Sequence, residues 1–183
     1  MEKYIALLRG VNVGGKNTVS MPVLREAFEK SGFCNVSTYI NSGNILFSCE
    51  DTDIEALQQR CRQIIAAKFN LDIPVAVISP KALAAALSHA PEWWDSDAAL
   101  KHNAIFVVPP VNTEDVLEEV GEINPQYEQA AHYGQVVFWS APLKDFSKTK
   151  WSKFVSTAAR SRITIRNANT TKKMLQLSEQ AES

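Results

Sequence analysis

Nine residues near the start of the chain, Arg9-Gly10-Val11-Asn12-Val13-Gly14-Gly15-Lys16-Asn17, concentrate the types that hold anions. Glycines permit positive φ and bring bare backbone N–H groups to a surface. Successive N–H groups in such a loop form a concave anion site, and a helix N-terminus behind it adds positive potential. Arg9, Asn12 and Lys16 would flank that site, with Gly14 and Gly15 as backbone donors. Gly10 to Lys16 also fits seven of the eight positions of the nucleotide-binding G-x-x-x-x-G-K-[ST] loop. Asn17 stands at the eighth, so the hydroxyl that holds Mg²⁺ is missing. The reading is an anion-binding loop or a structural turn, not a true P-loop.

A second polar set follows in Tyr39-Ile40-Asn41-Ser42-Gly43-Asn44, and a third in Thr164-Ile165-Arg166-Asn167-Ala168-Asn169-Thr170. Asn, Ser and Gly are also ordinary turn residues, and Asn169 or Thr170 is a good helix N-cap. Arg166 is the harder one to assign to turn chemistry, because a strand-end arginine grips phosphate or carboxylate in bidentate fashion. It could equally pair with an acidic residue of the first half. Catalytic sets are thin. His89, His102 and His132 fall in three separate segments, none beside an evident Ser or Cys nucleophile, and His102 reads as a surface residue. Glu92, Asp95 and Asp97 lie in what reads as a solvated linker rather than a metal site. No catalytic residue, metal or cofactor is assigned, and whether the protein is an enzyme stays open.

The elements that would position these residues are read from periodicity. Lys3–Leu8 is a strand, and Ser20 caps a helix over about 21–31 with Val23, Leu24, Ala27 and Phe28 on one face. Gly32 suits the helix end, and Phe33 folds back on it. Val36–Ile40 and Asn44–Cys49 form a hairpin across Asn41-Ser42-Gly43. Thr52 and Glu55 make a capping box before a helix with Leu57, Cys61 and Ile65 in its apolar stripe, and Val75–Ile78 closes the unit. The order β-α-β-β-α-β is the ferredoxin-like split βαβ arrangement. A helix opened by Ser79-Pro80 and a Trp93-Trp94 segment follow; one of these tryptophans is expected to seal a joint or line a pocket. The pattern then repeats: a strand at 103–108, an acidic helix at 113–120, strands at 128–133 and 136–139, a helix at 148–160 and a strand at 163–166. In that helix Trp151, Phe154, Val155, Ala158 and Ala159 share a face. The final segment, 170–180, is helical.

The fold class is therefore α+β, two ferredoxin-like plaits in tandem with a C-terminal helix. The expected division is 1–79, a linker at 80–98, and 99–183 including that helix. Strand order 4-1-3-2 would set the end of strand one beside the start of strand three. One sheet edge would then carry Arg9, Asn12, Gly14, Gly15, Lys16, Asn41, Ser42 and Asn44, donors aimed at an acceptor-rich ligand.

Totals bound the rest. Cys34, Cys49 and Cys61 are odd in number and far apart, which speaks against a disulfide framework or zinc site and for reduced thiols, Cys61 within the core. No apolar run approaches the ~18 residues that span a bilayer. The start, Met1-Glu2-Lys3, does not read as a secretory signal, so a cytoplasmic location is expected. The net charge of −1 hides an asymmetry: Lys144 to Lys173 holds nine basic residues against Asp145 alone, which is +8. That excess either attracts phosphate-bearing partners or neutralises the acidic half of the same molecule; the second is favoured.

The strings LLRGVNVGGKN, MPVLREAFEKSGF, STYINSGNILF and TIRNANTTKKMLQL resemble the bacterial family known as domain of unknown function 1697. The resemblance implies two ferredoxin-like subdomains and no established activity. Its motifs fall on Arg9-Gly10, Asn12, Gly14-Gly15-Lys16, Tyr39, Ser42-Gly43-Asn44, Arg166-Asn167 and Asn169-Thr170. Relatives often carry an aromatic residue where this chain has Ala168, so base stacking at that position is not expected here. The leading expectation is binding of a phosphorylated or nucleotide-like small molecule at the two N-terminal loops, with Arg9, Lys16 and Arg166 holding the anion and Asn167 and Asn169 counted among the ligand-binding residues. The alternatives are an RNA-binding module, using Tyr4, Phe47 and the basic C-terminal third, and an interaction protein whose polar loops hold its halves together.

Overall fold

In the computed structural model, which describes residues 1–157 and 161–180, the chain forms two compact units, one of 1–83 with the chain from Met174 onward, the other Ala84–Lys173. The first unit opens β1 (Glu2–Leu8), α1 (Met21–Lys30), β2 (Cys34–Tyr39), β3 (Asn44–Cys49), α2 (Ile54–Phe69), β4 (Val75–Ile78). Its sheet runs β2-β3-β1-β4, all neighbours antiparallel. The expected ferredoxin-like plait is what forms.

Alternation along β1 decides which side the helices cover. Tyr4, Ala6 and Leu8 face α1 and α2, where Leu24, Phe28, Leu57, Cys61 and Ile65 complete a core with Ile45, Phe47, Val75 and Val77. Each such fully buried large side chain contributes about 1.5–3 kcal/mol. Lys3, Ile5 and Leu7 fall on the other face. Phe33 does fold back on α1: its N–H donates to the Phe28 carbonyl at 3.2 Å, and the two rings lie 5.5 Å apart.

The helix starts differ in detail from the sequence reading. Ser20 precedes α1 without a side-chain cap bond. Asp53, not Thr52, caps α2, its Oδ1 accepting from Glu55 and Ala56 N–H at 3.0 and 3.2 Å. Both residues are competent caps; the helix begins one residue later than the capping box required, which puts Asp53 in position. Ser79 Oγ accepts from Ala82 N–H at the head of α3 (Pro80–Ser88), as expected.

The second unit repeats the plait with β5 (Leu100–Val107), α4 (Thr113–Val120), β6 (Gln129–Tyr133), β7 (Val136–Pro142), α5 (Lys150–Ser156) and β8 (Ile163–Asn167), in the order β6-β7-β5-β8. Trp139, Trp151 and Phe154 fill its core. The helix expected from Lys148 starts at Lys150, because Thr149 turns its hydroxyl onto the Ser152 N–H; Ala158, Ala159 and Arg160 lie outside the described residues. Trp94 is buried within this unit, edge-on to Phe138 at 5.0 Å, its indole N–H donating to the Asn103 carbonyl.

Glu128 is buried just ahead of β6. Its carboxylate accepts from the Trp139 indole and from the Lys150 and Trp151 amides, at 3.1, 2.6 and 3.3 Å, and so closes the start of α5. α6 (Ala168–Glu179) starts earlier than the sequence suggested. Asn167 caps it, Oδ1 accepting from Thr170 N–H at 2.8 Å, so neither Asn169 nor Thr170 is the cap.

Candidate functional site

The glycine loop is a small flap. Val13 and Lys16 form a bridge closed by Lys16 N–H to the Val13 carbonyl at 3.1 Å, and Gly14 and Gly15 sit at φ 58° and 73°. Two central residues with positive φ make the type I′ turn that suits a two-residue hairpin, and Gly-Gly is among its preferred pairs. A Cβ at either glycine would meet nothing within 4 Å, so both face open space. Lys16 is exposed at the end of the turn, and Arg9 is half-buried at the flap's base.

Asn12 holds that base. Its Nδ2 donates to the carbonyls of Val19 and Asn41, both at 2.8 Å, and its Oδ1 accepts from Val19 N–H at 2.8 Å. Asn17 adds Nδ2 to the Gly10 carbonyl at 3.1 Å. Both amide donors of Asn12 are thereby bonded to main-chain carbonyls, one in its own loop and one in the hairpin turn.

The hairpin between β2 and β3 meets the flap as the strand order required: Leu8 N–H donates to the Gly43 carbonyl at 2.8 Å. Gly43, at φ 76°, packs so closely that a Cβ would lie 2.7 Å from both Leu8 and Val11 side chains. Asn44 is fully buried, its Nδ2 donating to the Tyr39 carbonyl and to Ser42 Oγ. Asn41 is exposed and Ser42 half-buried. The two loops therefore meet: Asn12 joins them through the Asn41 carbonyl, while Asn44 orders the hairpin turn from within.

The remaining candidates belong to the second unit. Arg166 is buried on β8, its Nη1 donating to the Ile165 carbonyl at 2.8 Å. Asn167 caps α6, and Asn169 is exposed on that helix's first turn. Ala168 is buried at its first position.

His102 was misplaced by the sequence reading. It lies on β5, buried, directly across from Ser140 of β7. Its Nε2 lies 2.7 Å from the Asp97 carbonyl and its Nδ1 2.6 Å from Ser140 Oγ. A carbonyl only accepts, so in the neutral ring Nε2 carries the hydrogen and Ser140 donates to Nδ1. The pair has the connectivity of a base and hydroxyl nucleophile, but both members are buried, Ser140 at 1% exposure. The strand order made β5 and β7 neighbours, and that was the one signal that could have joined these residues.

Tyr4 and Phe47 are cross-strand partners and do share a face, but it is the core face: they are 4% and 1% exposed, their rings tilted against each other, with Phe28 edge-on and Phe33 tilted against Phe47. They cannot receive nucleic-acid bases in the manner of RNA-binding plaits. Basic residues of the C-terminal third pair with acids: Lys148 with Asp145, Arg162 with Glu119 and Lys172 with Asp95. Among the described residues no three His, Cys, Asp or Glu side chains gather as a metal set, and no helix is long and apolar enough to cross a membrane.

The family described as "Protein of unknown function (DUF1697)" matches residues 1–138, which include both N-terminal loops. The chain belongs to this family. The structure of this DUF1697 chain is similar to that of the conserved bacterial protein SP0830 from Streptococcus pneumoniae, at 30% identity and a TM-score of 0.84, covering 97% of this chain and 99% of that one. The first two RRM domains of the yeast poly(U) binding protein Pub1 align at 10% identity over 90% of this chain and 98% of theirs, with a TM-score of 0.23. The comparison with curated proteins gave no match.

Proposed function

We propose that this DUF1697 protein binds a small phosphate-bearing molecule at the flap of its first unit. Lys16 and Arg9 supply the charge, the Gly14 and Gly15 amides supply backbone donors, and the exposed Asn41 side chain orients the ligand. The supporting observation is the Asn12 anchor. Its three hydrogen bonds fix the base of the flap, so the glycine amides and Lys16 are held out in one arrangement before a ligand arrives. Ordering a loop in advance removes an entropic cost from binding, and a fixed run of amides beside a lysine suits an oxyanion. Arg166, Asn167 and Asn169 are not needed for this reading. The reading is of binding; no side chain here is placed as a general acid or base.

RNA binding has less behind it, because the aromatic residues it needs are in the core and three cations of the basic third, Lys148, Arg162 and Lys172, carry acidic partners. The test is a thermal-shift screen against nucleotides, sugar phosphates and other phosphorylated metabolites. A ligand at about 100 times its Kd adds roughly 2.7 kcal/mol to stability, which reads as a raised midpoint. The reading predicts a hit that Lys16→Ala removes. A shift with generic RNA, weakening with salt, would favour the alternative.

A further inference from the structure

At the other end of β1 the first unit carries a groove of about 370 Å³, within the size range of small-molecule sites. Lys3, Leu46 and Ser48 form its floor, and Leu177 and Ser178 of α6 form one wall. Lys3 and Arg9 flank β1 at opposite ends, about 20 Å apart at ~3.3 Å per residue, so this groove is separate from the flap.

Its donors are partly unspent. The Lys3 ammonium donates to the carbonyls of Ser178 and Gln180 at the end of α6, at 3.3 and 3.1 Å. An ammonium has three donors, which leaves one. Ser48 stands directly across the sheet from Lys3, is 3% exposed, and its hydroxyl makes no hydrogen bond among the described residues. Beside it β2 breaks its register between Cys34 and Ser37, with Asn35 at φ 52°. Bulges of this kind recur where an edge strand must shape a site.

We propose that the groove binds a small monocarboxylate with a short apolar body. One ammonium N–H and one hydroxyl match the two oxygens of a carboxylate, while a phosphate group, with its further oxygens and higher charge, would leave acceptors unmet by this pair. Leu46 and Leu177 supply the apolar contact for the body.

The test is titration of hexanoate, n-hexanol and inorganic phosphate into the ¹⁵N-labelled protein, followed by amide shifts. Hexanoate is expected to move the resonances of Leu46, Ser48 and Leu177. Hexanol should bind about tenfold or more weakly, since a hydrogen bond to a charged group contributes that much. Ser48→Ala keeps the strand and is expected to weaken hexanoate by about tenfold on the same grounds; Lys3→Gln should weaken it further, with its effect on the α6 end read separately from the midpoint. Equal binding of hexanoate and hexanol, shifts confined to other residues, unchanged hexanoate affinity in Ser48→Ala, or displacement of hexanoate by phosphate would each overturn the assignment.

Discussion

The side-chain amide of Asn12 donates to the main-chain carbonyl of Asn41 at 2.8 Å, joining the flap after β1 to the turn before β3. With its pair of bonds to Val19, this makes one side chain the common anchor of both loops. Asn12→Ala should cost about 2 kcal/mol, from three lost hydrogen bonds, two of them part-buried. Asn12→Asp keeps the acceptor for Val19 N–H but loses both donors, so it should also destabilise. Urea unfolding with wild-type slope and a lowered midpoint checks this.

Glycines of the two loops should answer differently to the same change. Gly43→Ala drives a Cβ to 2.7 Å from Leu8 and Val11 at positive φ, and should cost about 3 kcal/mol or more. Gly14→Ala meets only open space and should cost about 1 kcal/mol, for the left-handed backbone alone. Equal losses in thermal melts would contradict the described turn.

Glu128 is expected to be the most sensitive polar residue of the second unit. Glu128→Ala leaves the Trp139 indole and the Lys150 and Trp151 amides without their shared acceptor. Stability should fall by about 3 kcal/mol, with Glu128→Gln intermediate. Calorimetric unfolding of the three proteins gives the order directly.

Burial pushes the thiols of Cys49 and Cys61 up from the ordinary 9.0, and the Tyr4 hydroxyl up from 10.0. Folded groups with raised values hold protons that the unfolded chain releases, so their contribution is intact below the unfolded values. Stability should therefore fall as pH rises from about 9 through the higher folded values. Half-buried Cys34 should react with a thiol reagent in the native protein, and buried Cys49 and Cys61 only on unfolding.

The plait order was legible because apolar alternation, helical stripes and turn residues are local properties, and strand order then follows from the fold's rules. The meeting of Arg9–Lys16 with Asn41–Asn44 came from that topology. The targets of Asn12 and Asn44 were not legible: a sequence shows a donor but not which carbonyl packing brings to it. The caps show the same limit. Thr52 and Asp53 are both competent, as are Asn167, Asn169 and Thr170, and the helix position selects among them. His102 and Glu128 were missed because their partners are cross-strand or distant and depend on register.

The most direct measurement is calorimetric titration of the strongest phosphorylated hit from the screen into wild type, Lys16→Ala and the Arg9→Ala, Lys16→Ala double variant. Anion binding at the flap predicts at least a tenfold weaker Kd in Lys16→Ala, since charged hydrogen bonds contribute about 1.5–3 kcal/mol, with no detectable binding in the double variant. Unchanged affinity in the double variant, or a silent screen in which Arg9→Ala alone lowers the melting midpoint, would contradict it and make these loops structural.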